Sequence, residues 1–167
     1  MKKKLLLKDK VAIVTGGAGV IGMAVARRFL EEGAEVVAAD SNGPLLGKNV
    51  RTLKKTFGAA VSGVRTDIRS ASNVRNLMKR TVAARGTIDI LVNAAAIQKP
   101  IGGLLEVSAG DWIKCVNTNI VGTMLCCKAA LPVMAAKRRG KIINYSGGGA
   151  TFPRPNFSAY GTSKAAI

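Results

Sequence analysis

Histidine is absent from the 167-residue sequence. This absence excludes Ser-His-Asp and Cys-His catalytic machinery and every metal site that needs an imidazole ligand. Any proton transfer must therefore use the side chains of Tyr, Lys, Asp, Glu or Cys.

Acidic residues are scarce: 9 Asp and Glu stand against 26 Lys and Arg, which gives a net charge of +17. Such an excess attracts anionic partners over long distances. The basic residues are scattered, and the few aromatic residues do not alternate with them as they do in proteins that stack bases. We therefore expect a solvated basic surface and a phosphate-bearing cofactor or an acidic substrate, and we do not expect nucleic acid as a partner.

Cysteine is also rare, and Cys115, Cys126 and Cys127 form no CxxC pair. This pattern favours reduced thiols in a cytoplasmic protein. The basic start has only three leucines before Lys8, which is too short for a signal-peptide core. The other apolar runs look too short or too interrupted to cross a bilayer, so we expect no membrane partner.

Short strand-like and longer helix-like apolar patterns alternate along the chain. Strands are expected at residues 11–14, 35–39, 60–64, 88–92 and 141–145, and helices at 20–32, 45–56, 71–84, 111–136 and from 158 onward. Pro132 should kink the long helix locally. This order predicts one α/β domain over residues 1–167, a Rossmann-type doubly wound parallel sheet with helices on both faces. Ligands of such sheets bind at the carboxyl ends of the strands.

A glycine-rich segment follows the first strand and opens the first helix, with the spacing GxGxxG and an acidic residue, Asp40, at the end of the next strand. In this context the motif indicates dinucleotide binding. Glycines let the backbone turn tightly and approach a pyrophosphate, while the helix N-terminus supplies free N–H donors and partial positive charge. The residues expected to form this cradle are Thr15, Gly16, Gly17, Gly19, Ile21 and Gly22.

Asp40 is expected to accept hydrogen bonds from the adenosine ribose hydroxyls. Its carboxylate would repel the 2′-phosphate of NADP, and Ser41 follows it with no adjacent basic residue. NAD is therefore favoured over NADP. The alternative role for Asp40 is to cap the next turn.

Tyr160 and Lys164 are four residues apart in the last predicted helix, so they should share a face. Tyrosine is a poor base at neutral pH because its free pKa is about 10, but a nearby ammonium favours the phenolate. Such a pair could exchange a proton with a substrate oxygen. The alternative is an ordinary surface pair.

These landmarks come in the order typical of the short-chain dehydrogenase/reductase family, which the sequence resembles over nearly its whole length. The resemblance implies that Asp67, with Ile68 beside it, binds the adenine amino group. It also implies that Asn93, Ala94 and Ala95 line the cofactor and brace the sheet.

The same resemblance implies four catalytic residues. Asn119 would kink the long helix and hold a water that relays protons to Lys164, which would also hold the nicotinamide ribose. Ser146 would orient the substrate carbonyl, and Tyr160 would act as general acid in reduction and as base in oxidation. Without the resemblance, Asp67 could equally cap a turn, and Asn119 could satisfy local backbone.

The sequence departs from the family pattern in four places, one of them a small change, an alanine where the family usually has glycine in the segment 93–96. Val20 stands where the middle glycine of the turn belongs, a spacing closer to the sugar-nucleotide branch. Ser146 is one residue further from Tyr160 than the family norm, which falls on Gly147. The chain also ends soon after Lys164, so we expect a C-terminally truncated fragment whose sheet is incomplete at its C-terminal edge.

These observations favour an NAD(P)-dependent oxidoreductase that interconverts a secondary alcohol and a ketone by hydride transfer. The alternatives are a 3-oxoacyl-carrier-protein-reductase-like enzyme, a non-catalytic nucleotide-binding fragment and, on the glycine spacing alone, a sugar-nucleotide epimerase. The expected substrate is a small alcohol or carbonyl compound, and the basic surface favours an anionic one. The full-length form is expected to be a homodimer or homotetramer.

Overall fold

Five short strands rich in Val, Ile and Ala form the centre of the computed structural model, which describes residues 5–167. They are β1 (Val11–Thr15), β2 (Glu35–Asp40), β3 (Val61–Arg65), β4 (Ile90–Asn93) and β5 (Lys141–Asn144). All neighbouring strands pair in parallel, in the order β3-β2-β1-β4-β5. The first and fourth strands are buried along their whole length, as expected for strands covered on both faces.

Helices cover both faces of this sheet. They are α1 (Val20–Glu31), α2 (Gly43–Phe57), α3 (Ala71–Arg85), α4 (Ala109–Val116), α5 (Gly122–Ala136) and α6 (Ser158–Ala166). Ala12 and Val14 of β1 pack with α1 and α2, whereas Ile13 between them packs with α3 and α5. This alternation follows from the two-residue period of a strand. The predicted doubly wound α/β fold is confirmed.

The long helix predicted over residues 111–136 consists of three segments. It begins at Ala109 because the Ser108 hydroxyl accepts a hydrogen bond from the Asp111 backbone N–H at 3.1 Å. A π-helical turn (Asn117–Val121) then separates α4 from α5. The helix continues through Pro132 to Ala136.

In the described part of the chain, one helical stretch, Ala109–Ala136, is long and apolar enough to cross a bilayer by length and composition, with a mean hydropathy of 1.5. The expectation that every apolar run is too interrupted was therefore wrong, because Gly122 and Pro132 do not end the helix. Cys126, Ala130 and Met134 are buried in the core beside the sheet. A core helix of a globular protein has the same composition.

Element boundaries differ from the predicted ones by at most two residues. The third strand starts at Val61 because a short 3-10 turn (Gly58–Ala60) precedes it. The fourth starts at Ile90, after a buried Asp89 whose carboxylate accepts a hydrogen bond from the Val11 N–H at 3.0 Å. Among residues 5–167, β5 pairs only with β4 and its Lys141 and Asn144 side chains are exposed. The basic residues 2–4 lie outside the described part of the chain.

Candidate active site

A cleft of about 420 Å³ opens at the carboxyl ends of the strands. It is placed where strand order reverses, since β1 pairs with β2 on one side and with β4 on the other. Its walls come from the glycine turn, the ends of β2 and β3, the segment after β4, and the α4 region. The following predicted residues line it: Gly16, Gly19, Asp40, Asp67, Ile68, Ala94 and Ala95.

The glycine turn is packed so closely that side chains are excluded. Gly16 has a φ of +69°, and a Cβ there would lie 2.8 Å from the Ala95 backbone nitrogen. A Cβ on Gly22 would lie 2.2 Å from the Gly16 carbonyl oxygen, and one on Gly17 would lie 2.8 Å from the Ala38 Cβ. Gly19 is the N-cap of α1. The bare backbone and the helix N-terminus therefore form a surface that fits a diphosphate.

Three residues of this segment lie away from the cleft. Thr15 is buried, and its hydroxyl donates to the Val92 carbonyl at 3.4 Å and accepts from the Ala95 N–H at 3.2 Å. It thus supports the turn from behind. Val20 and Ile21 are 88% and 57% exposed in the first turn of α1, and neither lines the cleft. The valine in the place of a glycine leaves the cleft open.

Asp40 lies at the end of β2 on the wall of the cleft. One carboxylate oxygen accepts from the Ala18 N–H at 3.0 Å and the other from the Asn42 N–H at 2.9 Å. Asp40 therefore connects the glycine turn to the start of α2. It caps the turn that precedes α2, and it also lines the cleft.

A basic residue does lie near Asp40, contrary to what the local sequence indicates. Arg65 pairs in register with Asp40 across β2 and β3, and its Nε donates to the Ser41 carbonyl at 3.3 Å. It comes from a different strand, which is why adjacency in sequence does not reveal it. Asp40 remains the side chain of the two that lines the cleft.

Asp67 follows β3 and forms an ion pair with Arg69 at 2.6 Å. The side-chain hydrogen bond from Arg69 holds the pKa of Asp67 below its usual value, although partial burial opposes this. Asp67 also accepts from the Arg69 backbone N–H at 3.0 Å, so it closes a local turn. Ile68 is buried and packs against Gly122, where a Cβ would lie 2.7 Å from the isoleucine Cδ1.

Asn93 is buried at the end of β4. Its Nδ2 donates to the Asn144 Oδ1 at 2.8 Å, which connects β4 to β5, and lies 3.4 Å from the Cys127 Sγ. Its Oδ1 has no hydrogen-bond partner among residues 5–167. Ala94 and Ala95 then pass directly beneath Gly16 and line the cleft.

Asn119 is 1% exposed in the π-helical turn. Its Oδ1 accepts from the Ile97 N–H at 2.9 Å, and its Nδ2 contacts the Ile97 carbonyl at 2.9 Å and the Ser163 hydroxyl at 2.9 Å. It thus joins the segment after β4 to α6. The contact with α6 comes through Ser163, the residue before Lys164.

Tyr160 and Lys164 are both buried in α6, one turn apart. The Lys164 Nζ donates to the Tyr145 carbonyl at 2.7 Å and lies 5.7 Å from the centroid of the Tyr160 ring. Burial lowers the pKa of Lys164, with a smaller opposing effect from Cys115. Tyr160 packs with Cys115 of α4 and with Ile97, which also lines the cleft.

The backbone between β5 and α6 lies against the Tyr160 hydroxyl. The Ser146 hydroxyl donates to the Lys164 carbonyl at 3.1 Å. A Cβ on Gly147, by contrast, would lie 2.9 Å from the Tyr160 Oη. The residue at the family's usual serine position therefore faces the tyrosine oxygen but carries no hydroxyl.

Four basic residues around the site were not predicted: Arg65, Arg69, Lys114 and Arg154. Strand register could have revealed Arg65, and the Asp-x-Arg spacing could have revealed Arg69. Lys114 lines the cleft from α4. Nothing in the sequence places Arg154 over the ring of Tyr160, because the intervening loop has no periodicity.

The fold and this cleft define a dinucleotide-binding α/β protein of the doubly wound type. A family model described as short chain dehydrogenase matches residues 10–167. The chain belongs to that family, as the order of its motifs predicted.

Its relatives include dehydrogenases from several organisms. Dehydrogenase/reductase SDR family member 4 of Sus scrofa is 32% identical over 167 residues, which are 100% of this chain and 60% of the relative. A 2,5-dichloro-2,5-cyclohexadiene-1,4-diol dehydrogenase of Sphingobium indicum is 37% identical over 161 residues, 96% of this chain and 64% of the relative. The chain thus spans about three fifths of the length of these curated relatives.

Solved structures superimpose closely. An NAD+-bound xylitol dehydrogenase has a TM-score of 0.93 at 30% identity, with coverage of 97% of this chain and 62% of that one. A short chain dehydrogenase/reductase from Burkholderia phymatum in complex with NAD has a TM-score of 0.90 at 30% identity, with coverage of 96% and 57%.

Proposed function

We propose that the protein is an NAD-dependent oxidoreductase that interconverts a secondary alcohol and a ketone. The observation that carries this proposal is the position of α6, which holds Tyr160 and Lys164 one turn apart beside the cleft. Two related structures contain NAD, and their chains superimpose on this one with TM-scores of 0.93 and 0.90. Relatives named as xylitol and diol dehydrogenases support an alcohol substrate.

The dinucleotide would supply the hydride acceptor and donor, and the chain would hold its diphosphate on the glycine turn. Asp40 would accept the ribose hydroxyls, and its carboxylate would disfavour a 2′-phosphate. Asp67 would take the adenine end, beside Arg69. NAD is therefore the proposed cofactor and NADP the weaker one, although Arg65 lies one strand away from Asp40.

Tyr160 would exchange the proton with the substrate oxygen. Lys164, whose Nζ lies 5.7 Å from the centroid of the Tyr160 ring, would hold the nicotinamide ribose beside it. Asn119 would hold α6 and the segment after β4 in register, and a water bound near it would relay the proton to Lys164. These roles use only side-chain types that are present in the sequence, which lacks histidine.

Ser146 would orient the substrate carbonyl, and to do so its hydroxyl must leave the Lys164 carbonyl. Two variants test this. Ser146→Ala should lower kcat/KM about a hundredfold if the hydroxyl donates to the developing oxyanion. An unchanged kcat/KM in Ser146→Ala would show that Ser146 does not have this role. Gly147→Ser restores a hydroxyl at the family's usual position, but its Cβ would lie 2.9 Å from the Tyr160 Oη, so it should lower kcat/KM unless Tyr160 moves.

The experiment that tests the function is turnover of NAD with secondary alcohols by wild-type protein and by Tyr160→Phe. The variant should bind NADH as well as wild type but lose about a hundredfold or more in kcat, because only the proton-transferring oxygen is removed. Tyr145→Phe is the matched control, since Tyr145 contacts Lys164 only through its backbone carbonyl. Equal activity of wild type and Tyr160→Phe would reject the mechanism, and wild type that binds NADH without turnover would favour the non-catalytic alternative.

The full-length protein is proposed to be a cytoplasmic homo-oligomer. Ile113, Met124 and Leu131 are 54%, 47% and 51% exposed along α4 and α5, and an apolar helix surface of this kind favours self-association. Sedimentation velocity should show a dimer or tetramer. A monomer at all concentrations would contradict this part of the proposal.

A further inference from the structure

Arg154 lies between β5 and α6, directly beside the tyrosine of the proposed mechanism. Its guanidinium carbon is 3.7 Å from the centroid of the Phe157 ring and 5.3 Å from that of Tyr160. The two rings meet edge to face, with centroids 6.4 Å apart. A guanidinium stacked through its face keeps its N–H groups at the edge, where they can donate to a ligand.

No carboxylate neutralises this guanidinium among the described residues. The ion pairs found in residues 5–167 involve other basic residues, and the sequence contains no Asp or Glu after Asp111. Arg154 is nevertheless half-buried. A half-buried arginine without a counterion readily binds an anion, because its fork of donors matches carboxylate and phosphate oxygens.

The loop opposite Arg154 has no side chains for three residues, 147–149. A Cβ on Gly148 would lie 3.7 Å from an Arg154 terminal nitrogen, and one on Gly147 would lie 2.9 Å from the Tyr160 Oη. The same bare backbone therefore borders both the guanidinium and the phenol oxygen. A small substrate could contact both groups at once.

We propose that Arg154 binds an anionic group, a carboxylate or a phosphate, on the substrate whose hydroxyl or carbonyl oxygen contacts Tyr160. This rests on the proposed function and narrows its substrate class to small hydroxy and oxo acids or phosphorylated alcohols and ketones. Lys99 and Lys114 line an adjoining cavity with Ile97, and the two ammonium groups outnumber the one carboxylate there, Asp111, so the potential of this cavity is positive.

Binding of paired carbonyl compounds to the NAD+-loaded protein tests this, because NAD+ and a ketone cannot react with each other. The pairs are acetoacetate with methyl acetoacetate, and dihydroxyacetone phosphate with dihydroxyacetone, each titrated by calorimetry. At least one anion should bind about tenfold or more tightly than its neutral partner, since a charge-assisted bidentate pair forms. A difference within the acetoacetate pair identifies a carboxylate as the ligand, and a difference within the dihydroxyacetone pair identifies a phosphate.

Arg154→Met should remove that preference while it keeps an apolar contact on Phe157, and Arg154→Lys should keep part of it. Arg80→Met, an exposed site on α3, removes the same charge and should change nothing.

Equal affinities within both pairs for wild type, or an equal loss for anion and neutral partner in Arg154→Met, would overturn the proposal. Failure to bind NAD+ would instead reject the proposed function, and the same titrations without NAD+ would still decide the role of Arg154.

Discussion

Single glycines decide whether the cradle can form. Gly22 is in the first turn of α1, yet its hydrogen faces the Gly16 carbonyl oxygen and not solvent. Gly22→Ala must push the helix away from the turn, because its Cβ would lie 2.2 Å from that oxygen. We predict the loss of NADH binding in a fluorescence titration and destabilisation of roughly 1–3 kcal/mol or more in urea unfolding.

Gly47→Ala provides the control in α2. Its Cβ would meet only an arginine side-chain nitrogen, at 3.6 Å. Because alanine is the better helix former, this variant should be neutral or more stable by up to about 1 kcal/mol. NADH binding that survives in Gly22→Ala would contradict the packing argument.

The Asp40 carboxylate lies on the wall of the cleft, where the adenosine ribose would bind. Asp40→Asn keeps the shape of the side chain but removes the charge that would accept ribose hydroxyls and repel a 2′-phosphate. NADH should bind about tenfold more weakly, as expected for the loss of a charged hydrogen-bond acceptor, while NADPH should lose less. Parallel fluorescence titrations measure both, with Glu31→Gln on the exposed face of α1 as control. An unchanged ratio of the two affinities would show that Arg65 or another group sets the preference.

At the scale of elements, the π-helical turn (Asn117–Val121) connects the cleft to α6. Asn119 in this turn contacts the Ile97 backbone twice and Ser163 once. Asn119→Ala removes these contacts and leaves buried backbone groups without partners, which costs roughly 1–3 kcal/mol. In Asn119→Ala we predict faster amide hydrogen exchange throughout α6 than in wild type, whereas exchange in α1 should be unchanged.

Asn117→Ala is the matched control, since Asn117 begins the same turn but is exposed. It should leave exchange in α6 unchanged. If both variants behave alike, the turn itself, and not the hydrogen bonds of Asn119, holds α6 in place.

Elements that follow from the spacing of residues along the chain could be predicted from the sequence. Features that depend on contacts between residues far apart in the sequence could not. The glycine turn, the parallel strands and the Tyr160–Lys164 face follow from spacing alone. The π-helical turn does not follow from spacing, and only the family resemblance, which implied a kink at Asn119, indicated a distortion of the long helix there. The position of Arg154 likewise depends on a loop without periodicity, and Arg65 on strand register.

For the whole molecule, Asp89 links three parts of the fold. It accepts from the Val11 N–H at 3.0 Å in β1 and from the Lys137 Nζ at 2.5 Å after α5. Burial raises its pKa, but the hydrogen bonds from Lys137 and Val11 outweigh this and hold the pKa below the usual value. A carboxyl with a lowered pKa stabilises the fold fully above its unfolded pKa of about 3.9, and that contribution is lost as pH falls through the folded pKa.

Urea unfolding at pH 7, 5 and 3 tests this role. Asp89→Asn should be less stable than wild type by roughly 1–3 kcal/mol at pH 7, since the buried Lys137 contact loses its charge partner. The difference should shrink at pH 3. A constant difference across this range would show that Asp89 acts through packing alone.

A crystal structure of the protein with bound NADH tests the central claim most directly. The account predicts the diphosphate on the amides of residues 16–22, the adenosine ribose on Asp40, and the nicotinamide end beside Tyr160 and Lys164. A dinucleotide bound elsewhere, or a cleft that stays empty at saturating NADH, would contradict it.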